Sequence, residues 1–287
     1  MTWHEPREIL ARHGLDPKRA FSQNFLVSRS HAERIAELAS MAGLPVVEMG
    51  PGLGTLTALI LERAPQVIAV EADRDMIAVL NAEFAASTKL DVREGDAVTF
   101  DLTAASAELA SPLVVAGNLP YSVTGGIMRN VVTHHAVIAQ AYLMVQREVR
   151  ERIVAQPSTK AYGALTVFLR SCFKARSVLE LAPGCFFPAP KVASSIVQFL
   201  PREPGPRPPT SAFESVVGAA FRARRKTLRN ALLLIPAHGA DPRQGPVDAA
   251  LARAEIDGQR RGETLTVPEF ERLAFAWAEL ADGPGTP

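Results

Sequence analysis

Between residues 46 and 145, short β-rich runs alternate with stretches of helical periodicity. Strands that return in the same direction need a crossover helix between them, so this alternation predicts a mostly parallel sheet wound with helices. Val46-Val47-Glu48-Met49 reads as the first strand, Val67-Ile68-Ala69-Val70 as the second and Leu90-Asp91-Val92-Arg93-Glu94 as a weaker third. Leu113-Val114-Val115-Ala116 and residues 139–145 supply a fourth and a fifth, and residues 195–200 a late one. Leu56, Leu59 and Ile60 fall at helical spacing after the first strand, and a helix follows the second, capped by Asp73 or Asp75.

Residues 201–210 hold five prolines in ten positions. Proline has no N–H to continue a helix or sheet, so the segment reads as a stiff linker and the best domain boundary. Residues 212–235, 247–256 and 267–280 beyond it look helical. The expected organisation is a catalytic domain over 1–200, a linker over 201–210 and a small all-α domain over 211–287.

No apolar run approaches the ~20 residues of a membrane span. Residues 1–8 have neither a basic n-region nor an apolar h-region, so a cytosolic protein is expected. Cys172 and Cys185 fit no zinc spacing and no disulfide framework, and they read as reduced side chains. His134 and His135 read as exposed helix-end residues, and no metal site is expected. A net charge of +1 argues neither for nor against a nucleic-acid partner. Five positive charges do cluster in eight residues, at Arg222, Arg224, Arg225, Lys226 and Arg229, as a candidate phosphate-contacting surface.

The turn Glu48-Met49-Gly50-Pro51-Gly52-Leu53-Gly54-Thr55 leaves a strand and opens a helix. Gly50 and Gly52 let backbone approach a ligand without a Cβ in the way. The third glycine stands one place earlier than a dinucleotide fingerprint requires, with Thr55 in its stead, which tilts the reading away from pyrophosphate. Glu71, ending the second strand, can accept ribose hydroxyls, and Asp96, after the third, an adenine amine. Three acids at successive strand ends suit a sulfonium cation. A nicotinamide-dependent oxidoreductase remains the rival enzyme class on the glycine turn and Glu71 alone.

Asn118-Leu119-Pro120-Tyr121 ends the fourth strand, beside the expected cleft. The Asn118 side-chain oxygen and the Leu119 carbonyl could accept the hydrogens of an exocyclic amine, Pro120 stiffens the backbone, and Tyr121 could stack on a base. Phe187 is a candidate for the opposite face of a base taken out of its stack, with Phe186 in the core. Gln23-Asn24-Phe25-Leu26 reads as a loop able to fold over a cofactor, with Asn24 bonding its carboxylate and Leu26 covering it.

Taken in order and spacing, Gln23–Leu26, the glycine turn, Glu71, Gly95-Asp96-Ala97, Asn118–Tyr121, Phe187-Pro188-Ala189-Pro190-Lys191-Val192 and residues 224–230 resemble the KsgA/RsmA family of rRNA adenine dimethyltransferases. The resemblance runs from about residue 17 to the last helix. It implies an α/β fold, a Rossmann-like class I S-adenosylmethionine methyltransferase sheet with a small all-α C-terminal domain. It further implies dimethylation of two adjacent adenines in a hairpin near the 3′ end of small-subunit rRNA, by a monomer acting on a partly assembled subunit. By residue it sets the cofactor against Asn24, Leu26, Gly50, Glu71, Asp96 and Asn118, and the target amine against Asn118 and Tyr121. Ser22 departs from the family's usual glycine toward the Erm-type large-subunit enzymes, and no role is carried onto Gln146 or Arg147. A ribosome-assembly factor without the chemistry is the non-enzymatic alternative.

Overall fold

A computed structural model describes residues 3–18, 23–202, 210–235 and 247–281. Ser22 and most of the proline-rich linker lie outside the described residues. The chain divides into two compact units, Met1–Arg150 with Phe173–Pro201, and Glu151–Cys172 with Arg202–Pro287.

The first unit runs α1 (Pro6–His13), β1 (Phe25–Leu26), α2 (Arg29–Ser40), β2 (Val46–Met49), α3 (Thr55–Leu61), β3 (Val67–Glu71), α4 (Arg74–Glu83), β4 (Leu90–Glu94), α5 (Leu102–Glu108), β5 (Leu113–Asn118), α6 (Thr124–Thr133) and β6 (Ile138–Gln146). After α7 (Arg147–Ile153) and α8 (Ala164–Cys172) the chain returns to it as β7 (Phe173–Leu181), β8 (Phe186–Phe187) and β9 (Ser194–Pro201). The sheet order is β4-β3-β2-β5-β6-β9-β7, with β8 paired separately to β1. The strands from β2 to β6 are parallel, β9 runs antiparallel to β6, and β7 runs antiparallel to β9.

The inner parallel strands β2, β3 and β5 are buried on both faces, so they are near-continuous apolar runs, whereas β4 at the edge is only partly buried. The burial of Val46, Val67, Val114 and Ala116 against Ala32, Ile35 and Ala36 of α2 and Leu59 and Ile60 of α3 forms the core. Truncating a fully buried residue such as Ile35 would cost about 2–5 kcal/mol. β2 lies between β3 on one side and β5 on the other: the chain winds outward from β2 through β3 to β4, then crosses back to β5 on the far side of β2, and the strand order reverses there. That reversal opens a crevice at the carboxyl ends of the strands. Gly117 lets β5 close on β2 there, since a Cβ would stand 2.4 Å from the Met49 carbonyl oxygen.

The second unit is helical: α8, then α9 (Thr210–Arg222), α10 (Leu228–Leu232), α11 (Val247–Arg253) and α12 (Val267–Ala281). Here the expected boundaries need correction. Residues 151–172 join this unit rather than the sheet, because Ala155, Tyr162 and Val167 complete its core with Phe213, Val216, Phe270 and Leu273. The Tyr162 hydroxyl adds a buried bond to the Leu265 carbonyl at 2.8 Å. The helix expected over 212–235 is two helices. The amides of Leu228 and Arg229 donate to the carbonyls of Arg260 and Gly258 at 2.6 and 3.0 Å, in place of helical partners. Thr227 then caps α10.

Candidate active site

The crevice holds a cavity of about 340 Å³, within the range of small-molecule sites. Asn24, Leu26, Gly50, Gly52, Glu71, Asp96, Asn118, Leu119, Pro120 and Tyr121 all line it. These are ten of the residues singled out from the sequence, and they come from β1 and the residue before it, from the ends of β3 and β5, and from the loops after β2, β4 and β5.

The glycine turn is built around positive φ angles, 70° at Gly50, 56° at Gly52 and 77° at Gly54. Only glycine adopts these without cost, and a Cβ on Gly54 would meet the Phe84 ring at 2.4 Å. The turn does not present itself to an anion. The Gly52 N–H donates at 3.0 Å to Oε2 of Glu71, and Oε1 of the same carboxylate accepts from the Ala72 and Asp73 amides at 2.9 Å each. Burial raises the Glu71 pKa, and these three backbone donors oppose the rise.

Glu48 is almost wholly buried and accepts the Thr57 hydroxyl at 2.6 Å. Burial pushes its pKa up to about 7, with the Glu71 charge adding to the effect. Asp96 is exposed and lines the cavity, and its Oδ1 accepts the Val98 amide at 2.8 Å, which leaves its other oxygen as the free acceptor. Among the described residues, three carboxyl groups and no Lys, Arg or His line the cavity. That donor and charge set fits a cationic nucleoside such as S-adenosylmethionine and opposes a pyrophosphate, which seeks free N–H groups and positive charge.

Asn118 closes β5 with its amide nitrogen donating to the Asn24 carbonyl at 2.7 Å. Only the NH2 of an amide can make that bond, so the side-chain oxygen is the atom left to accept. Thr124, at the start of α6, donates to the Pro120 carbonyl at 3.0 Å and fixes the turn after Leu119. The Tyr121 hydroxyl bonds the buried Ser194 at 3.1 Å, and burial raises its pKa.

Phe187 lies outside the cavity lining. It is half-buried opposite Phe25 in the small ladder, with the Arg7 guanidinium 4.5 Å above its ring. Phe186 is core, as expected. In the helical unit the basic cluster divides. Arg229 holds Asp248 through two bonds of 2.6 and 2.7 Å, and Arg224 holds Glu263 and the carbonyls of Thr159 and Lys160. Arg222, Arg225 and Lys226 are exposed and pair with no carboxylate among the described residues.

Sequence reading missed the residues that hold the wall in place. Asp73 was visible only as a helix cap. It is buried, and its carboxylate accepts Lys18 Nζ at 2.6 Å and Gln23 Nε2 at 2.8 Å, pinning the segment that carries Asn24. Asn130 bonds the loop of Asp96 in a similar way. His134 is half-buried and 3.4 Å from Asp101. Among the described residues no helix is long and apolar enough to cross a membrane, and no group of three or more His, Cys, Asp or Glu could hold a metal.

The chain is similar to known proteins over most of its length. The ribosomal RNA small subunit methyltransferase A of Magnetococcus marinus is 42% identical over 269 residues, covering 93% of this chain and 94% of that protein. The protein of the same name from Myxococcus xanthus is 41% identical over 289 residues, covering 98% of each. Among solved structures, a dimethyladenosine transferase from Plasmodium falciparum shares the fold, with a TM-score of 0.70 at 24% identity over 87% of this chain and 96% of that one. The 23S rRNA methyltransferase ErmE matches with a TM-score of 0.62 at 27% identity, over 89% of this chain and 100% of that one. The class I S-adenosylmethionine-dependent methyltransferase fold is common ground. The profile of the family described as ribosomal RNA adenine dimethylase matches residues 14–270, and the chain belongs to that family.

Proposed function

We propose that this protein dimethylates the exocyclic amines of two adjacent adenines in a hairpin near the 3′ end of small-subunit rRNA, using S-adenosylmethionine, and serves small-subunit maturation. The small-subunit assignment rests on relatives of that name at 40% identity and above, against 27% for the large-subunit enzyme. The observation that supports the chemistry is the Asn118 amide, which lines the cavity with Glu71 and Asp96 and has its nitrogen committed to the Asn24 carbonyl, so that its oxygen is the atom left to accept.

When bound, S-adenosylmethionine supplies an electrophilic methyl carbon. Glu71 would hold its ribose, Asp96 its adenine amine, and Asn24 and Leu26 its amino-acid end, with Gly50 and Gly52 giving backbone access. The amine of adenine is a poor nucleophile because its lone pair is delocalised into the ring. The Asn118 oxygen and the Leu119 carbonyl accept its two hydrogens and aim the lone pair into the cavity, while Tyr121 supports the ring by stacking. No covalent nucleophile is needed, since orientation of this kind can supply about 7–11 kcal/mol in favourable cases. The second transfer has one hydrogen left to accept, so it depends on one acceptor and on the stacking platform. Arg222, Arg225 and Lys226 would contact phosphate, and Arg224 and Arg229, already holding carboxylates, would do so less. The protein acts in the cytoplasm, as a monomer, on a partly assembled subunit.

The test is methylation in vitro of undermethylated small- and large-subunit particles, with the modified bases mapped. Dimethylated adenine pairs in the small subunit are expected. Modification confined to the large subunit would overturn the assignment. Asn118→Ala is expected to abolish transfer while leaving particle binding intact.

A further inference from the structure

We propose that Asn130 is a positioning residue that sets the preference of the site for adenosine over other nucleosides, by fixing the loop that carries Asp96. The inference rests on the cofactor reading above, and deepens it.

Asn130 lies on α6 and is 6% exposed. Its Nδ2 donates to two carbonyls of one loop, Ala97 at 3.0 Å and Phe100 at 2.9 Å. An amide nitrogen has two hydrogens, and both are spent on this loop. The loop is held at its root too, where the Gly95 amide donates to the Glu71 carbonyl at 2.9 Å. Between these ties, Asp96 Oδ1 is locked onto the Val98 amide, so the plane of the carboxylate follows the backbone of the loop. Helix α6 also touches the loop through Gly126, where a Cβ would meet the Val98 side chain at 2.8 Å. Ile127, one turn before Asn130, lines the cavity with Asp96 and Ala97.

A carboxylate aimed at position 6 of a purine distinguishes an amine, which donates, from an oxo group, which repels it. The distinction is only as sharp as the aim. Asn130 touches no ligand in this scheme, since it is buried outside the cavity lining and its hydrogens are committed to backbone. It acts by denying the loop the freedom to turn Asp96 away or to let water take the place of the amine.

Titration calorimetry of S-adenosylhomocysteine and S-inosylhomocysteine, which differ in that group and in the proton that the oxo form carries on the adjacent N1, tests the proposal. A hydrogen bond to a charged acceptor predicts a wild-type preference for the adenosine ligand of about 10- to 150-fold. In Asn130→Ala the preference is expected to fall by about tenfold, on the same scale of bond strength, through weaker binding of the adenosine ligand while the inosine ligand holds its affinity. Gly126→Ala, which pushes the same loop through Val98, is expected to lower the preference as well. If Asn130→Ala does not fold, Asn130→Ser, which keeps one donor, replaces it and should give an intermediate loss. Equal weakening of both ligands, or an unchanged preference in a folded variant, overturns the role of Asn130 and leaves the cofactor reading standing. A wild-type protein that binds neither ligand overturns the cofactor reading itself.

Discussion

Replacing Glu48 with Gln isolates the cost of placing a third carboxyl group in the cavity wall. Glu48 is 1% exposed, its Oε2 accepts the Thr57 hydroxyl, and the charge that acts on it is that of Glu71. Helix α3, which packs beside it, carries no charged residue. A buried carboxyl group without a cation stays protonated, and here the pKa moves from 4.5 to about 7. The folded chain therefore keeps a proton that the unfolded chain releases across that window, and stability falls as pH rises through it. At 1.36 kcal/mol per tenfold, the full loss above the window is about 3 kcal/mol. Glutamine does not titrate, and its side-chain oxygen can still accept from Thr57. Scanning calorimetry of both proteins from about pH 4 to about pH 8 should give nearly coincident transitions at the acid end, below the unfolded-state pKa. At the alkaline end Glu48→Gln should melt higher, by up to about 6–12 °C at 2–4 °C per kcal/mol for a unit of this size. A difference that stays constant across the range, or one that grows toward acid, refutes the reasoning. A cation in the cavity favours the ionised form, so saturating S-adenosylmethionine should shrink the wild-type penalty more than S-adenosylhomocysteine does.

Asp73→Ala removes the cap of α4, worth about 1 kcal/mol, and the acceptor that holds Gln23 beside Asn24. It should lower the melting temperature by a few degrees and raise the KM for cofactor with the KM for RNA unchanged, whereas Asp73→Asn should recover the stability first. Joint replacement of Arg225 and Lys226 by Ala should reduce the slope of log affinity for RNA against log salt by about 0.7–0.9 for each phosphate that is no longer neutralised. Arg229→Ala should change that slope less, because its guanidinium is already held by Asp248. Phe187→Ala should weaken RNA substrate binding about 5- to 150-fold if the ring stacks on a base, at about 1–3 kcal/mol per stacked base. Unchanged affinity would remove that role.

The inner parallel strands β2, β3 and β5 were legible because burial on both faces makes each a continuous apolar run, and the observed ends of all five parallel strands fall within a residue or two of the expected ones. β7 escaped notice for the converse reason. It is an edge strand with only Phe173 and Leu181 buried, and its interior reads polar. The break after Arg222 was hidden because the residues on both sides keep helical spacing. What ends the helix is non-local, the carbonyls of Arg260 and Gly258 taking the amides of Leu228 and Arg229. Residues 151–172 were assigned to the sheet domain by chain continuity, and tertiary burial overrode it.

The site divides along a similar line. Residues that would face a ligand sit at strand ends or in the glycine turn, where chain order and residue type together mark them, and a parallel sheet brings successive strand ends to one edge whatever the details of packing. Residues that aim those groups carry no such mark. Asn118 is turned by the backbone of Asn24, 94 positions away, and Asp73 receives Lys18 from 55 positions away. Asn130 reaches loop carbonyls about 30 positions before it. Each partner is a common polar residue in an ordinary helix or loop, and in two of the three cases the bond involves a backbone carbonyl that any residue could offer. Local pattern cannot select such a pair. Geometry selects it, and the functional consequence is that substitutions far from any motif should change which nucleoside the cavity prefers before they change whether the chain folds.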